Sequence, residues 1–111
     1  MGASYRQCSG KTQPGATAWV DYDPARPNFG IYVEVDISSC GFTEPPVVVT
    51  SIHGDSVHWE LTGPSSVYML TPKRFRVYVK LPTWDQGRGV GLSPAMANKN
   101  NWHIHWIACG V

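Results

Sequence analysis

Apolar and polar residues alternate with a period of two along much of the chain, the repeat of an extended strand. Residues 31–37, IYVEVDI, set Ile31, Val33, Val35 and Ile37 against Tyr32, Glu34 and Asp36. Residues 75–81, FRVYVKL, oppose Phe75, Val77, Val79 and Leu81 to Arg76, Tyr78 and Lys80. The closing stretch WHIHWIACGV places Trp102, Ile104, Trp106 and Ala108 on one face. A first strand is expected around residues 18–20. Residues 47–52, VVVTSI, form an unbroken run rich in β-branched residues, which predicts a strand buried on both faces. His58 to Leu61 and Ser65 to Leu70 flank Gly63-Pro64, a pairing that predicts a hairpin.

Helix has little room. Nine prolines and eleven glycines interrupt the chain too often for a long one. The short candidate is SPAMA, residues 93–97, with Ser93 placed to cap and Pro94 at the first helical position. It lies inside a loop of residues 82–101, long enough to be expected to carry function. Six to seven short strands without repeats or low-complexity tracts predict an all-β chain, a single antiparallel β-sandwich. Residues 1–111 read as one domain, with 1–8 a flexible or strand-leading tail.

Composition narrows the function. Hydrophobic residues make up 42%, enough for a packed core rather than a disordered chain. Nine Lys and Arg against eight Asp and Glu give a formal charge of +1. A surface without a field of one sign argues against nucleic-acid binding by counterion release. No apolar run is long enough to span a membrane, and the first fifteen residues hold no leader-like apolar stretch. A cytoplasmic or leaderless secreted protein is the expectation. Cys8, Cys40 and Cys109 lie outside any CxxC pattern, so reduced thiols are expected, with at most one bridge and a free cysteine.

Catalytic signatures are missing. The sequence holds no GxSxG elbow, no HExxH and no Gly-rich phosphate loop, and its carboxylates are scattered. No enzymatic activity and no cofactor are expected. His103 and His105, two apart on a strand, share a face, and His58 is a third imidazole that folding could bring near them. Zinc needs three or four ligands, so a polar outer face opposite Trp102, Ile104 and Trp106 weighs more than a metal site here.

Two polar loops invite a ligand. Trp84, Asp85 and Gln86 stand in a turn-rich segment outside any apolar alternation. An aromatic plate beside a carboxylate and an amide suits a sugar, which has C–H groups on one face and hydroxyls around its rim. The other loop is DYDPARPN, residues 21–28. Turn chemistry accounts for Asp23-Pro24, whereas Arg26 has no such account.

In order and spacing, SGK at 9–11, Trp19, DPARPN at 23–28, PPVVVTSI at 45–52, YMLTPKRFRVYV at 68–79, PTWD at 82–85 and WIACG at 106–110 resemble the H-type lectins, the family of the snail agglutinins. The resemblance spans residues 9–110. It implies a six-stranded antiparallel sandwich that forms a trimer or a pair of trimers, with galactose or N-acetylgalactosamine sites at subunit boundaries. There, Asp23–Arg26 and Trp84-Asp85 would contact the sugar from neighbouring subunits. The chain departs from the family at several points. No cysteine stands near 13–14 or 80–81, the positions of that family's disulfide. Thr43 replaces a cysteine before Pro45-Pro46, no basic residue stands near 65–67, and Asp85 replaces a common histidine.

The expectation is therefore a multivalent carbohydrate-binding lectin whose ligand residues are Asp23, Arg26, Trp84, Asp85 and Gln86. Its partners would be glycans or glycoconjugates and copies of itself, as a trimer or hexamer. A self-assembling sandwich that binds proteins and a metal-binding protein using His58, His103 and His105 remain open beside it.

Overall fold

A computed structural model of the chain describes residues 5–81 and 92–111. Its strands are β1 (Arg6–Lys11), β2 (Val20–Asp21), β3 (Ile31–Asp36), β4 (Val47–His53), β5 (Val67–Tyr68), β6 (Arg74–Val79) and β7 (His103–Gly110), and the described residues hold one α-helix, α1 (Pro94–Lys99). They form two antiparallel sheets, a three-stranded one in the order β1-β7-β4 and a four-stranded one in the order β2-β3-β6-β5. The all-β sandwich read from the alternation is present.

Register explains the core. β3 and β6 pair so that Ile31 faces Val79, Val33 faces Val77 and Val35 faces Phe75. Each pair points inward, and all six side chains are buried. From the other sheet Ile104 and Ala108 of β7 close the layer, joined by Trp102 just before it. Trp102 is fully buried, and its indole N–H donates to the Ser56 carbonyl at 2.7 Å. Its own carbonyl accepts the Trp19 indole N–H at 3.0 Å. Both indoles thus bury their rings without stranding a polar atom.

The helix has the caps its sequence announces. Ser93 Oγ accepts from the Met96 amide at 3.1 Å, and Pro94 takes the first turn, where an amide donor has no partner to lose. Leu92 and Ala97 anchor it in the core.

Two expectations need correction. β4 is not buried on both faces: it is an edge strand that buries Thr50, half-buries Val48 and Ile52, and exposes Val47 and Val49. A β-branched run reads the same whether one face or both are covered. His58 to Leu61 does not form a hairpin arm either, because His58–Glu60 is a 3-10 turn. β5 pairs with β6 instead, and Thr62 bridges to Lys80. Gly63, at φ +99°, carries the chain so close over β6 that a Cβ there would stand 2.4 Å from the Tyr78 carbonyl oxygen. Within the segment read as a flexible or strand-leading tail, β1 begins at Arg6 and pairs along β7 from Gly110 to His105.

Cys8 of β1 is bridged to Cys40, in the turn that follows β3, while Cys109 is a free thiol. One bridge with one thiol is the upper limit the cysteine count set. The bridge ties the edge of the three-stranded sheet to a segment leaving the four-stranded one. Closing the 32-residue separation removes chain entropy worth about 3–4 kcal/mol from the unfolded state. Among the described residues, no helix is long and apolar enough to cross a membrane.

Candidate functional site

The outward positions of the four-stranded sheet carry a cluster of tyrosines. Tyr32 and Tyr78 are cross-strand partners with ring centroids 5.2 Å apart. Tyr22, one residue beyond β2, and Tyr68 of β5 approach Tyr78 edge-on from opposite sides, at 6.0 and 5.3 Å. Between them runs a groove of roughly 600 Å³. The β2–β3 loop walls one side with Tyr22 and Phe29; Thr62, Gly63, Ser66, Tyr68 and Met69 wall the other. Tyr22 and Tyr68 are about half exposed and Met69 more so, so apolar surface faces solvent along both walls. Met69 has φ +53°, a left-handed conformation uncommon for a residue other than glycine.

Cations rim these rings. The Arg26 guanidinium lies 3.8 Å above the centre of Phe29, and Lys80 approaches the same ring at 5.1 Å. Arg76 stacks over Tyr32 at 4.6 Å and donates to the Tyr78 hydroxyl at 3.2 Å. That hydrogen bond, more than any neighbouring charge, pushes the Arg76 pKa above its ordinary value. Arg76 Nε has no hydrogen-bond partner, its nearest carboxylate oxygen being Glu34 Oε1 at 3.9 Å.

The structure accounts for Asp23 and Arg26 as follows. Asp23 Oδ1 accepts from the Ala25 amide at 3.0 Å and the Asp23 carbonyl from the Arg26 amide at 2.9 Å, a side-chain-closed turn. Arg26 is exposed and is held by stacking on Phe29. The loop that sequence singled out therefore borders the groove. Trp84, Asp85 and Gln86 lie outside the described residues. Another tryptophan, Trp59, is 82% exposed on the turn after β4.

The three-stranded sheet bears a second cluster. His103 and His105 share a face of β7, with their Nε2 atoms 3.0 Å apart. His53 of β4 stacks on His105, with centroids 3.5 Å apart and planes 13° apart. Sequence reasoning missed His53 because the register Ser51–His105, His53–His103 sets it there. These three and His58 line a cavity of about 540 Å³ with Lys11, Asp55 and Asn101. His58 shares that cavity, but among the described residues no group of three or more His, Cys, Asp or Glu side chains converges as a metal cage. Partial burial lowers the His105 pKa below its ordinary value, aided by charge repulsion from His53, His103 and Lys11.

No family model matches the chain, and no curated protein or solved structure shows significant similarity to it.

Proposed function

We propose that this protein is a carbohydrate-binding, lectin-like module whose ligand lies in the tyrosine groove of the four-stranded sheet. The observation that carries this reading is the pair of half-exposed rings, Tyr22 and Tyr68, set edge-on to Tyr78 between polar and cationic rims. Aromatic faces take up the C–H surface of a sugar, while Tyr hydroxyls, Thr62, Ser66 and Lys80 meet its hydroxyls. Asp23 and Arg26 extend that rim from the β2–β3 loop. Galactose or N-acetylgalactosamine residues are the ligands the lectin resemblance favours, and Trp84, Asp85 and Gln86 belong to the same proposal.

Hydrogen bonds to a shallow site contribute about 1 kcal/mol each, so one groove binds at millimolar to micromolar concentrations. Useful avidity then requires several grooves in one assembly. The outer face of the three-stranded sheet supports self-association. Val49 and Ile107 are register partners there, and Val47 (69% exposed) extends the apolar strip. The same strip supports the second reading, a self-assembling sandwich that binds proteins. The Cys8–Cys40 bridge favours an oxidising compartment, hence secretion over the cytoplasm.

A glycan array paired with a solution molar-mass measurement tests the proposal. Tyr68→Ala and Tyr22→Ala should each weaken glycan binding about tenfold while leaving the melting temperature within a few degrees. A stable oligomer that binds no glycan would move the assignment to the assembly reading. Retained binding in both variants would remove the groove as the site.

A further inference from the structure

We propose that His103 and His105 form a two-imidazole site for a divalent transition-metal ion of the zinc and copper class, on the sheet opposite the sugar groove. Two residues apart on β7, they project from one face, and their Nε2 atoms are 3.0 Å apart. Two nitrogens bound to one ion at about 2.05 Å stand roughly 3.3 Å apart at a tetrahedral angle and roughly 2.9 Å at a right angle. The observed separation falls between these values, so both rings reach one ion with little adjustment.

The tautomer is set for this task. His103 Nδ1 lies 2.7 Å from the Asn101 carbonyl oxygen, to which its N–H donates. The Nε2 lone pair is then directed at His105, and a ring N–H fixed by a carbonyl is how ligating histidines are usually oriented. Without metal His105 Nε2–H donates to the His103 Nε2 lone pair; when an ion binds, that proton moves to His105 Nδ1 and both Nε2 lone pairs face the metal. His53 stacks face-on against His105 and engages Ser51 Oγ through Nε2 at 2.9 Å. It therefore orients His105 and leaves the coordination sphere to two imidazoles and water. Imidazole donors select zinc and copper over magnesium or calcium. Lys11, the β1 residue opposite His105, opposes the ion's charge, and Asp55 in the same cavity favours it.

Isothermal titration of chelator-treated, tag-free protein with zinc sulfate, then with copper(II) sulfate, tests the site. One ion should bind per chain at micromolar concentration, copper more tightly than zinc. His105→Phe, which keeps the ring beside His53 and removes both nitrogens, should weaken binding about tenfold or more, and Lys11→Gln should tighten it. His58→Gln and Cys109→Ser should bind as the parent does. On the unmodified chain, zinc should shift the imidazole proton resonances of His103 and His105 and leave those of His58 in place, a readout independent of any variant's folding. Absence of heat with either metal to about 100 μM, undiminished binding by His105→Phe, or resonance shifts confined to His58 would each overturn the assignment. Glycan binding should be indifferent to chelator, so this site and the groove stand or fall separately.

Discussion

Outside the shared core, the four-stranded sheet presents Tyr32, Tyr78 and Tyr68 between Glu34, Arg74 and Arg76, whereas the three-stranded sheet presents Val47, Val49, Ile107 and three histidines. Both inner faces are built from the same aliphatic and aromatic side chains. The outer faces are under no such packing constraint and have diverged into a rigid aromatic floor and a strip of aliphatic and imidazole groups. Divergence at positions that do not determine the fold is where binding chemistry is to be sought.

Removing what the sheets share should erase the comparison altogether. Trp102 is fully buried, hydrogen-bonded through its indole, and lies where α1 meets β7. Trp102→Ala leaves a large cavity and orphans the Ser56 carbonyl. The expected loss is about 4 kcal/mol in urea unfolding, with glycan and metal binding failing together. If one face retained its binding while the other lost it, the two sheets would not depend on a common core.

The core was legible in the chain because β3, β6 and β7 alternate with strict period two around residues too apolar to face water. Other parts were not. β1, RQCSGK, is mostly exposed and is held by backbone pairing to β7, so its side chains carry no pattern. β4 misled because Val47 and Val49 look like core residues until the sheet edge is known. The groove was hidden for a related reason: Tyr22, Tyr68 and Tyr78 come from three stretches that meet only through the register of β5 on β6 and β2 on β3. Aromatic rings at polar-phase positions, Tyr32 and Tyr78, were the available signal. Of the sequence-selected residues, Asp23 and Arg26 lie in the chain segment between Tyr22 and Phe29, which wall the groove, whereas His103 and His105 meet each other and gain His53.

A narrower intervention should separate the faces. Gly63 combines a positive φ with a backbone approach that leaves no room for a methyl group, and it walls the groove. Gly63→Ala should cost about 2 kcal/mol or more through strain and displacement of the 62–69 segment. Glycan affinity should fall with it, while the zinc isotherm at His103 and His105 stays unchanged at temperatures where the variant remains folded. A parent-like melting temperature would show that this wall yields without consequence.

The smallest expected effect falls on the imidazole face. In the native state partial burial comes first in holding the His105 pKa below its ordinary value of 6.5, with His53, His103 and Lys11 adding repulsion. The ring therefore stays neutral in the fold at pH values where the unfolded chain already takes up a proton. Its contribution is intact above the ordinary histidine value and is lost as pH falls through the lowered native value. Asp55, from the segment after β4, and His58 line the same cavity. Metal-free protein should melt at a lower temperature at about pH 5 than at about pH 7.5, and His105→Phe should shrink that difference. Tyr68 lies on the other sheet, away from the histidines, so Tyr68→Ala should keep the parent's pH dependence in full. An unchanged difference in His105→Phe would assign the acid sensitivity to carboxylates elsewhere and leave the histidines with no part in it.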